Sequence, residues 1–434
     1  MARRVFLVLV AVLGVPVLAA AQSSNTKLGL LIPSLYGPNG LVVDSLATLP
    51  DGSTHSAHFN ASFQAEFGQF NVALATQLLT VPFPSPASGY TYSFDETLGV
   101  FTRSTQSFGP ILTDRAETIG KGKLTFGFTY QRFTFDSIEG VPLSNVPAVF
   151  THDGAELGGG RSDVVVTRNA INVEVSRFIG FLNYGVTDRF DIAAAIPVVD
   201  TMLGAVSDAT IDRVGTASNP LVHFYGDSGA VGSQRQYRVS GTSTGIGDIL
   251  VRLKGTAVKS GSTAVGLLLD IRLPTGDEED LLGSGAWGVK PVLIASWGRG
   301  RVSPHLNAGY QWNGDSVLAG DIATKVKGDL PDQIFYAAGV DIGVSNAVTL
   351  VLDVLGQRVS ESPRLVRTNF TTRTGEILPQ VGFEQGSFFV HDAAVGLKLN
   401  LVGQLLLDAN VLIKLDDAGL RDKVSPLVAF EYTF

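Results

Sequence analysis

The chain ends with the sequence Ser425-Pro426-Leu427-Val428-Ala429-Phe430-Glu431-Tyr432-Thr433-Phe434. From Pro426 onward, every second side chain in this run is bulky and apolar, and the residues between them are mostly small or polar. Side chains alternate between the two faces of a strand, so this segment predicts a strand with one face in lipid and the other facing a watery lumen. Such a strand is stable only if the rest of the chain supplies the remainder of a barrel.

The same period of two recurs from Lys121 to the end of the chain. It is clearest where Val302, Pro304, Leu306, Ala308, Tyr310 and Trp312 alternate with polar residues. The pattern predicts twelve strands, at 121–136, 165–184, 189–203, 246–259, 263–275, 286–297, 301–313, 333–344, 347–360, 387–400, 403–416 and 423–434. One face of these strands is almost free of charge and the other is rich in it. The predicted fold class is therefore all-β, a transmembrane antiparallel β-barrel formed by residues 121–434.

The connections between the predicted strands alternate in length. Short turns are predicted at 185–188, 260–262, 298–300, 345–346 and 401–402, and longer connections at 137–164, 204–245, 276–285, 314–332, 361–386 and 417–422. Transmembrane barrels have short periplasmic turns and longer outer loops, so this order predicts that the barrel begins and ends in the periplasm. A soluble propeller does not require such an order, and it would bury charges such as Arg252 and Asp270 between its blades.

The amino terminus has the pattern of a secretory signal peptide. Arg3 and Arg4 precede an apolar run that ends in three small residues, Ala19, Ala20 and Ala21. We therefore expect residues 1–21 to be removed on export; an uncleaved membrane anchor is the alternative. The chain has no cysteine, which excludes disulfides and a lipid-attachment cysteine. An exported barrel protein is expected in the outer membrane of a bacterial cell, in contact with lipid and lipopolysaccharide.

Composition agrees with this class. Mean hydropathy is +0.24, yet beyond residue 21 there is no uninterrupted apolar stretch of about 18 residues, as a membrane-spanning helix would need. Without Arg3 and Arg4, 30 basic residues oppose 40 acidic ones, which gives the mature chain a formal net charge of −10. This charge is unfavourable for binding a phosphate backbone, so no nucleic-acid partner is expected.

Residues 22–120 have a different pattern, because seven prolines interrupt any regular element. Phe59, Phe63, Phe67 and Phe70 lie at spacings compatible with an amphipathic helix. Residues 85–89 read as a turn into a short strand at 90–94. Three interpretations remain open for this N-terminal segment: a plug inside the lumen, two extra wall strands that would make fourteen, or a flexible periplasmic arm.

The lumen face of the predicted barrel carries charges of both signs. The candidate lumen or pore residues are Asp248, Arg252, Lys254, Asp270, Arg272, His305, Asp408 and Lys414. Asp248, Arg252 and Lys254 lie on the strand that pairs with the one carrying Asp270 and Arg272, so opposite charges can neutralise each other across neighbouring strands. The set therefore predicts either a structural ion-pair network or a weakly selective pore constriction.

The sequence disfavours an enzyme. Of the six histidines, only His305 falls on a predicted lumen face, and no sequence feature supplies a positioned nucleophile beside it. The acidic run at 277–280 lacks the spaced, glycine-punctuated ligands of a calcium loop, so solvated acids are the simpler interpretation. We expect no catalytic residue, no metal site and no cofactor.

Several motifs resemble one family. Residues 184–191, Tyr-Gly-Val-Thr-Asp-Arg-Phe-Asp, followed by Ile-Pro-Val-Val at 196–199, look like the hairpin of outer-membrane transporters grouped with meta-pathway phenol degradation. The segments Gly-Ile-Gly-Asp-Ile at 245–249 and Leu-Pro-Thr-Gly-Asp at 273–277 recur in the same families. This resemblance runs from about residue 107 to the end. It implies a channel for small hydrophobic or aromatic compounds, and phenol itself would be too narrow a reading.

The terminal residues Phe430, Tyr432 and Phe434 resemble the signal by which the barrel assembly machinery recognises outer-membrane barrels. We therefore expect that machinery as a partner, besides lipid, lipopolysaccharide and a small-molecule solute. The function predicted from the sequence is passive uptake or efflux of small hydrophobic or aromatic compounds. A general porin-like or structural closed barrel is the alternative, and an outer-membrane enzyme is disfavoured.

Overall fold

The structure is a computed structural model that describes residues 26–37, 39–44, 57–79, 82, 84–85, 89–95, 100–103, 106–152, 163–213, 223–226, 232–372 and 374–434. The predicted signal peptide lies outside these residues. The N-terminal part contains a 3-10 turn at Leu28–Leu30, one α-helix, α1 (Asn60–Leu78), and four short strands, β1 (Val42–Val43), β2 (Ala57–His58), β3 (Tyr92–Asp95) and β4 (Val100–Arg103). None of the described helices is long and apolar enough to cross a membrane.

Among the described residues, twelve antiparallel strands form the wall of a barrel. They are β5 (Leu124–Phe135), β9 (Val164–Thr187), β10 (Phe190–Asp212), β12 (Ile249–Ser260), β13 (Thr263–Leu273), β14 (Gly288–Trp297), β15 (Val302–Asn313), β18 (Gln333–Gly343), β19 (Val348–Thr371), β20 (Ile377–Val402), β21 (Leu405–Lys414) and β23 (Val424–Thr433). Each strand pairs with the next wall strand along the chain, and β23 closes the ring by pairing with β5. The predicted twelve-stranded all-β barrel is confirmed.

Seven shorter or additional strands lie in the connections at one end. They are β6 (Ser137–Ile138), β7 (Val141–Pro142), β8 (Val146–Thr151), β11 (Gln234–Ile246), β16 (Asp315–Asp321), β17 (Val326–Asp329) and β22 (Leu420–Arg421). We call this end of the barrel the long-loop end, and the opposite end, where hairpins turn within a few residues, the short-turn end. The strand β8 extends the sheet along β9, and β11 extends it along β10.

The two faces of the wall differ as the alternation predicts. Large apolar side chains are exposed on the outside, among them Phe128, Phe178, Leu182, Ile192, Leu267, Leu293, Leu306, Val354, Val395 and Phe430. Polar and charged side chains are buried on the inside, among them Thr129, Asp191, Lys254, Asp270, Asn307, Asp341, Lys398 and Glu431. An apolar belt round a whole wall is far larger than the patches that soluble monomers expose, and a closed ring leaves no open sheet edge in lipid. The protein is a transmembrane β-barrel of the bacterial outer membrane.

The predicted strands were too short at the long-loop end. The predicted connection 204–245 contains a regular hairpin in which β10 pairs with β11 as far as Thr210 opposite Gln234. The predicted connection 361–386 likewise continues β19 and β20 to Thr371 opposite Ile377. In the first hairpin the polarity is reversed, because Leu203 is buried on the inside and Asp200 is exposed on the outside. Beyond the lipid the outer face meets water, so the pattern that marks a membrane strand no longer applies.

The alternative of fourteen wall strands, with two from residues 22–120, is wrong for the described residues. The strands β1 and β2 pair with each other, as do β3 and β4, and none of the four joins the barrel sheet. The two strands that extend the sheet, β8 and β11, come from connections between wall strands. The described N-terminal residues contact the inner side of the wall, so they run inside the ring of strands.

The orientation of the barrel stays a prediction that cysteine labelling can check, since the chain has no native cysteine. Gly261 and Gly300 in the short turns have φ of +57° and +62°, so a side chain there is strained and the neighbouring Ser262 is the better site. We expect a membrane-impermeant maleimide to label Glu376→Cys, at the long-loop end, in intact cells. Ser262→Cys should react only after the outer membrane is opened. The reverse pattern would contradict this orientation.

Candidate functional site

Residues 106–119, which we call the lumen segment, cross the barrel near the short-turn end. Their hydrogen bonds reach five wall strands: Phe108 N to Thr349 Oγ1 at 2.9 Å, Thr113 Oγ1 to Asp353 Oδ1 at 2.9 Å, Asp114 N to Asn307 Oδ1 at 2.8 Å, Ala116 N to Ser296 Oγ at 2.8 Å, Thr256 Oγ1 to Ala116 O at 2.8 Å and Ile119 N to Asp191 Oδ2 at 2.9 Å. Inward polar side chains thus form hydrogen bonds with buried backbone N–H and C=O groups of a segment that has no regular structure.

Arg252 joins the lumen segment to the wall. Its Nε donates a hydrogen bond to Asp270 Oδ1 at 2.6 Å, and its Nη2 donates one to Asp270 Oδ2 at 2.8 Å. Its Nη1 donates to Asp114 Oδ1 at 2.9 Å. Lys290 Nζ lies 3.6 Å from Asp270 Oδ2. The side chains of Arg252, Asp270 and Asp114 are buried or nearly so. Leaving one member of such a buried pair without its partner typically costs about 3–5 kcal/mol, so this contact fixes the lumen segment firmly.

Two other predicted lumen residues lie in ion pairs at the level of the lumen segment. Lys254 is 3.9 Å from Asp191, the carboxylate that also accepts the Ile119 amide. Asp408 lies 3.2 Å from Lys398, and Lys398 is also 3.3 Å from Glu431, which lies on the strand beside that of Asp408. Both clusters are almost completely buried. Their geometry fits the structural ion-pair network that the mixed charges predict.

Lys414 lies apart from the other candidates. It is at the long-loop end, 2.9 Å from Asp417 and 3.5 Å from Asp136, and it does not line the internal cavity described below. The sequence places Lys414 on the correct face of its strand, but the height of a residue along a barrel depends on where the strand enters the membrane. Its assignment to the pore is therefore not supported by its position.

A cavity of about 190 Å³ lies between the lumen segment and the cap that the N-terminal residues form at the long-loop end. Its apolar lining includes Leu79, Leu112, Val199, Leu250, Leu282 and Phe335. Of the predicted pore residues, Asp248, Arg252, Asp270 and Arg272 line it; Lys254, His305 and Asp408 do not. The cavity is therefore lined by apolar side chains and by charges of both signs.

Three charged residues of the cavity were not among the sequence candidates: Asp114, Arg177 and Lys290. Asp114 belongs to the lumen segment, which has no periodic pattern. Arg177 lies on β9, where the inward neighbours Val175 and Ile179 are apolar, so the inner face does not look polar in the sequence. The sequence signal that could have identified Arg177 is the aromatic Phe178 after it. Successive residues of a strand point to opposite faces, so an outward-facing Phe178 places Arg177 on the inner face.

His305 is part of a buried Ser–His–Asp arrangement. Its Nδ1 lies 3.1 Å from Ser296 Oγ, and its Nε2 contacts Asp341. Ser296 Oγ also accepts the Ala116 amide of the lumen segment, so this hydroxyl already has a structural role. No described group of three His, Asp or Glu residues could hold a metal ion.

The other described histidines lie away from the cavity. His391 Nδ1 is 2.6 Å from Asp416 and its Nε2 is 2.6 Å from the Tyr336 hydroxyl, at the long-loop end. His223 Nδ1 is 2.6 Å from Asp163 in the connections at the long-loop end, and the centroid of the His152 ring is 5.2 Å from that of His223. His55 and the side chain of His58 lie outside the described residues.

The two described phenylalanines of the helical repeat, Phe59 and Phe70, do not line the cavity. Phe59 directly precedes α1 and Phe70 lies within it, and both are fully buried in the apolar cluster of the cap. The side chains of Phe63 and Phe67 lie outside the described residues. Phe59 and Phe70 therefore supply no apolar lining, whereas Leu79, just after α1, reaches the cavity.

The acidic run at 277–280 holds the start of the described chain in place. Lys27 Nζ is 2.7 Å from Asp277 Oδ2 and 2.6 Å from Asp280 Oδ2, and Lys325 contacts Glu279. Partial burial alone would raise the pKa of Asp277, but the hydrogen bond and the charge of Lys27, together with hydrogen bonds from the amides of Asp280 and Glu279, lower that pKa below its ordinary value. These acids bind cationic side chains of the chain itself.

Comparisons with known proteins agree with the resemblance seen in the sequence. A family model described as "Putative MetA-pathway of phenol degradation" matches residues 158–329, a range that includes all three of the quoted motifs. The resemblance is confirmed there, over a shorter range than the one predicted from about residue 107 to the end. No curated protein matches the chain significantly.

Solved structures with a similar fold are outer-membrane proteins. An outer membrane channel from Pseudomonas putida F1 is 13% identical, with 74% of this chain and 99% of that chain covered and a TM-score of 0.41. A FadL homologue from Pseudomonas aeruginosa is 12% identical, with 73% and 90% covered and a TM-score of 0.31. The toluene transporter TodX from P. putida is 10% identical, with 72% and 90% covered and a TM-score of 0.31.

Proposed function

We propose that this protein is a passive outer-membrane channel for small apolar or aromatic compounds, with the lumen segment acting as a plug. The observation that carries the proposal is the cavity of about 190 Å³ enclosed between that segment and the cap. An apolar cavity of about 150 Å³ holds one benzene molecule, so this cavity has room for a single substituted ring. Its apolar lining residues, such as Leu112, Leu250 and Leu282, supply the contacts that an apolar solute needs.

The plug explains how a wide barrel can be selective. Polar solutes cannot pass a lumen whose inward side chains are paired with the lumen segment, as Arg252 is with Asp114. A solute that binds the cavity better when the segment is displaced shifts the equilibrium towards the open state by its difference in affinity. Transport in either direction then needs no energy source.

A closed structural barrel is the second candidate, and the ion-pair network around Lys398 and Arg252 favours it. An enzyme is disfavoured, because the hydroxyl of Ser296 is hydrogen-bonded to the Ala116 amide and lies beneath the lumen segment. The two candidates differ in one measurable property, which is whether the purified protein moves a small apolar solute across a membrane.

We expect vesicles made from outer-membrane lipids, lipopolysaccharide included, to take up radiolabelled toluene faster when they contain the protein. Uptake of radiolabelled arabinose, a polar solute of similar size, should stay at the level of empty vesicles. Leu250→Trp, which fills the cavity, should abolish the gain, because a solute cannot share the space with an indole ring.

Leu253→Trp is the matched control, since the same change on the same strand points away from the lumen and should leave toluene uptake intact. Equal uptake of toluene and arabinose would indicate a general porin. Uptake of neither solute would contradict the channel proposal and favour the structural barrel.

A further inference from the structure

The charges around the cavity do not balance. Four cationic side chains line it, Arg177, Arg252, Arg272 and Lys290, against three carboxylates, Asp114, Asp248 and Asp270. Asp270 binds both Arg252 and Lys290, and Asp114 binds Arg252 and the Ser85 hydroxyl. Two of the three carboxylates are thus fully used by neighbouring groups.

The third carboxylate, Asp248, is also occupied. Its Oδ1 accepts the Gly276 amide at 3.1 Å, and its Oδ2 accepts the amide and the hydroxyl of Ser284 at 2.8 Å and 2.5 Å. Arg272 Nε lies 3.6 Å from Asp248 Oδ2, and Arg272 Nη2 donates a hydrogen bond to Asn313 Oδ1 at 2.8 Å. These contacts hold Asp248 beside Arg272, so Asp248 acts on Arg177 only through its charge, and none of the three carboxylates forms a hydrogen bond or close ion pair with Arg177.

Arg177 is the cation that remains. Among the described residues, no hydrogen bond or ion pair joins its guanidinium to another side chain. Its only aromatic neighbour in this part of the chain is Phe133, with Cζ 5.8 Å from the ring centroid. Since a guanidinium stays charged at any physiological pH, a cation that is inside the barrel and unpaired is costly unless something else supplies the opposite charge.

We propose that the cavity is a binding site for a small carboxylate with an apolar or aromatic body, whose carboxylate pairs with Arg177. The planar guanidinium presents parallel N–H groups that match the two oxygens of a carboxylate. The neighbouring strand places Val199 opposite Arg177, and Leu250 and Leu282 extend the apolar surface on which the body of the ligand rests. This inference rests on the proposed function and names the class of solute.

The test uses titration calorimetry to measure how tightly the purified full-length protein binds benzoate and its neutral analogue benzamide. Wild-type protein should bind benzoate about tenfold or more tightly than benzamide, the difference expected for a charge-assisted hydrogen bond. Arg177→Gln should remove this preference, because it should weaken benzoate binding far more than benzamide binding. Arg177→Lys should keep part of the preference for benzoate, because the positive charge remains but the two parallel N–H groups are lost.

Lys290→Gln is the matched control, since it removes the same charge from the same cavity but from a side chain already paired with Asp270. It should keep most of the preference; equal losses in Lys290→Gln and Arg177→Gln would overturn the inference in favour of a diffuse positive potential. Binding of both ligands without preference would overturn this inference and leave the apolar channel standing. Binding of neither ligand would overturn both.

Discussion

Removal of residues 22–119, with the signal sequence kept, is expected to leave an inserted barrel whose conductance is several times higher and no longer selective for apolar solutes. All twelve wall strands start after this segment. Inward charges keep partners on the wall itself, as Arg252 does with Asp270 and Lys398 with Asp408. Single-channel recording in planar bilayers measures the conductance, and heat-modifiable migration in gel electrophoresis reports whether the barrel is folded.

A disulfide that can be formed and reduced provides the control, because the deletion also removes the cap and uncovers the apolar residues that pack against it at the long-loop end. Ser107 on the lumen segment and Ser303 on the wall have hydroxyl oxygens 3.3 Å apart, and the chain has no cysteine. A protein with both Ser107→Cys and Ser303→Cys should lose toluene uptake when oxidised and regain it with a reductant. Unchanged conductance after the deletion, or unchanged uptake in the oxidised protein, would contradict the plug.

Deletion of Phe434 is expected to reduce the amount of folded protein in the outer membrane severely. Phe434 ends the strand that closes the barrel: its amide donates to Leu124 O at 2.8 Å, and its ring lies 5.9 Å from that of Phe126. An aromatic pair contributes about 0.5–1.5 kcal/mol beyond its burial, so lost packing alone accounts for only a modest loss of folded protein. A much larger loss supports recognition of the aromatic terminus during assembly. Fractionation of membranes with immunoblotting measures it.

Phe126→Ala separates the two effects, because it removes the same ring contact and keeps the terminal residue. We expect it to assemble at close to the normal level, and Phe434→Tyr to do the same, since both keep an aromatic terminus. If Phe126→Ala is as defective as the deletion, packing at the β5–β23 seam is the cause and the assembly-signal interpretation is wrong.

The wall could be predicted strand by strand because lipid and water impose a strict alternation on each strand separately. The run that starts at Val302 shows its apolar residues outside and its polar residues inside without reference to any other part of the chain. The same rule failed above the membrane, where Asp200 faces outwards and Leu203 inwards. There the strand meets water outside and the N-terminal cap inside, and that cap comes from a distant part of the sequence.

The site was predicted less completely than the wall. The strand pattern placed Asp248, Arg252, Asp270 and Arg272 on the lumen side, and all four line the cavity. The pattern did not find Arg177, since its inward neighbours are apolar. It also gave no measure of height along the barrel axis, which is why Lys414 was grouped with residues that lie nearer the opposite end.

By itself, the sequence determined the class of protein, twelve of its wall strands and, within the membrane, the face on which their side chains lie. These properties follow from a local repeat in a known solvent, so neighbouring residues suffice to specify them. Only the tertiary structure decided which residues meet inside the ring. Residues 106–119 have no repeat, and their place depends on polar groups from five strands that are far apart in the chain. Only the tertiary structure likewise shows that the carboxylates near Arg177 already bind other side chains.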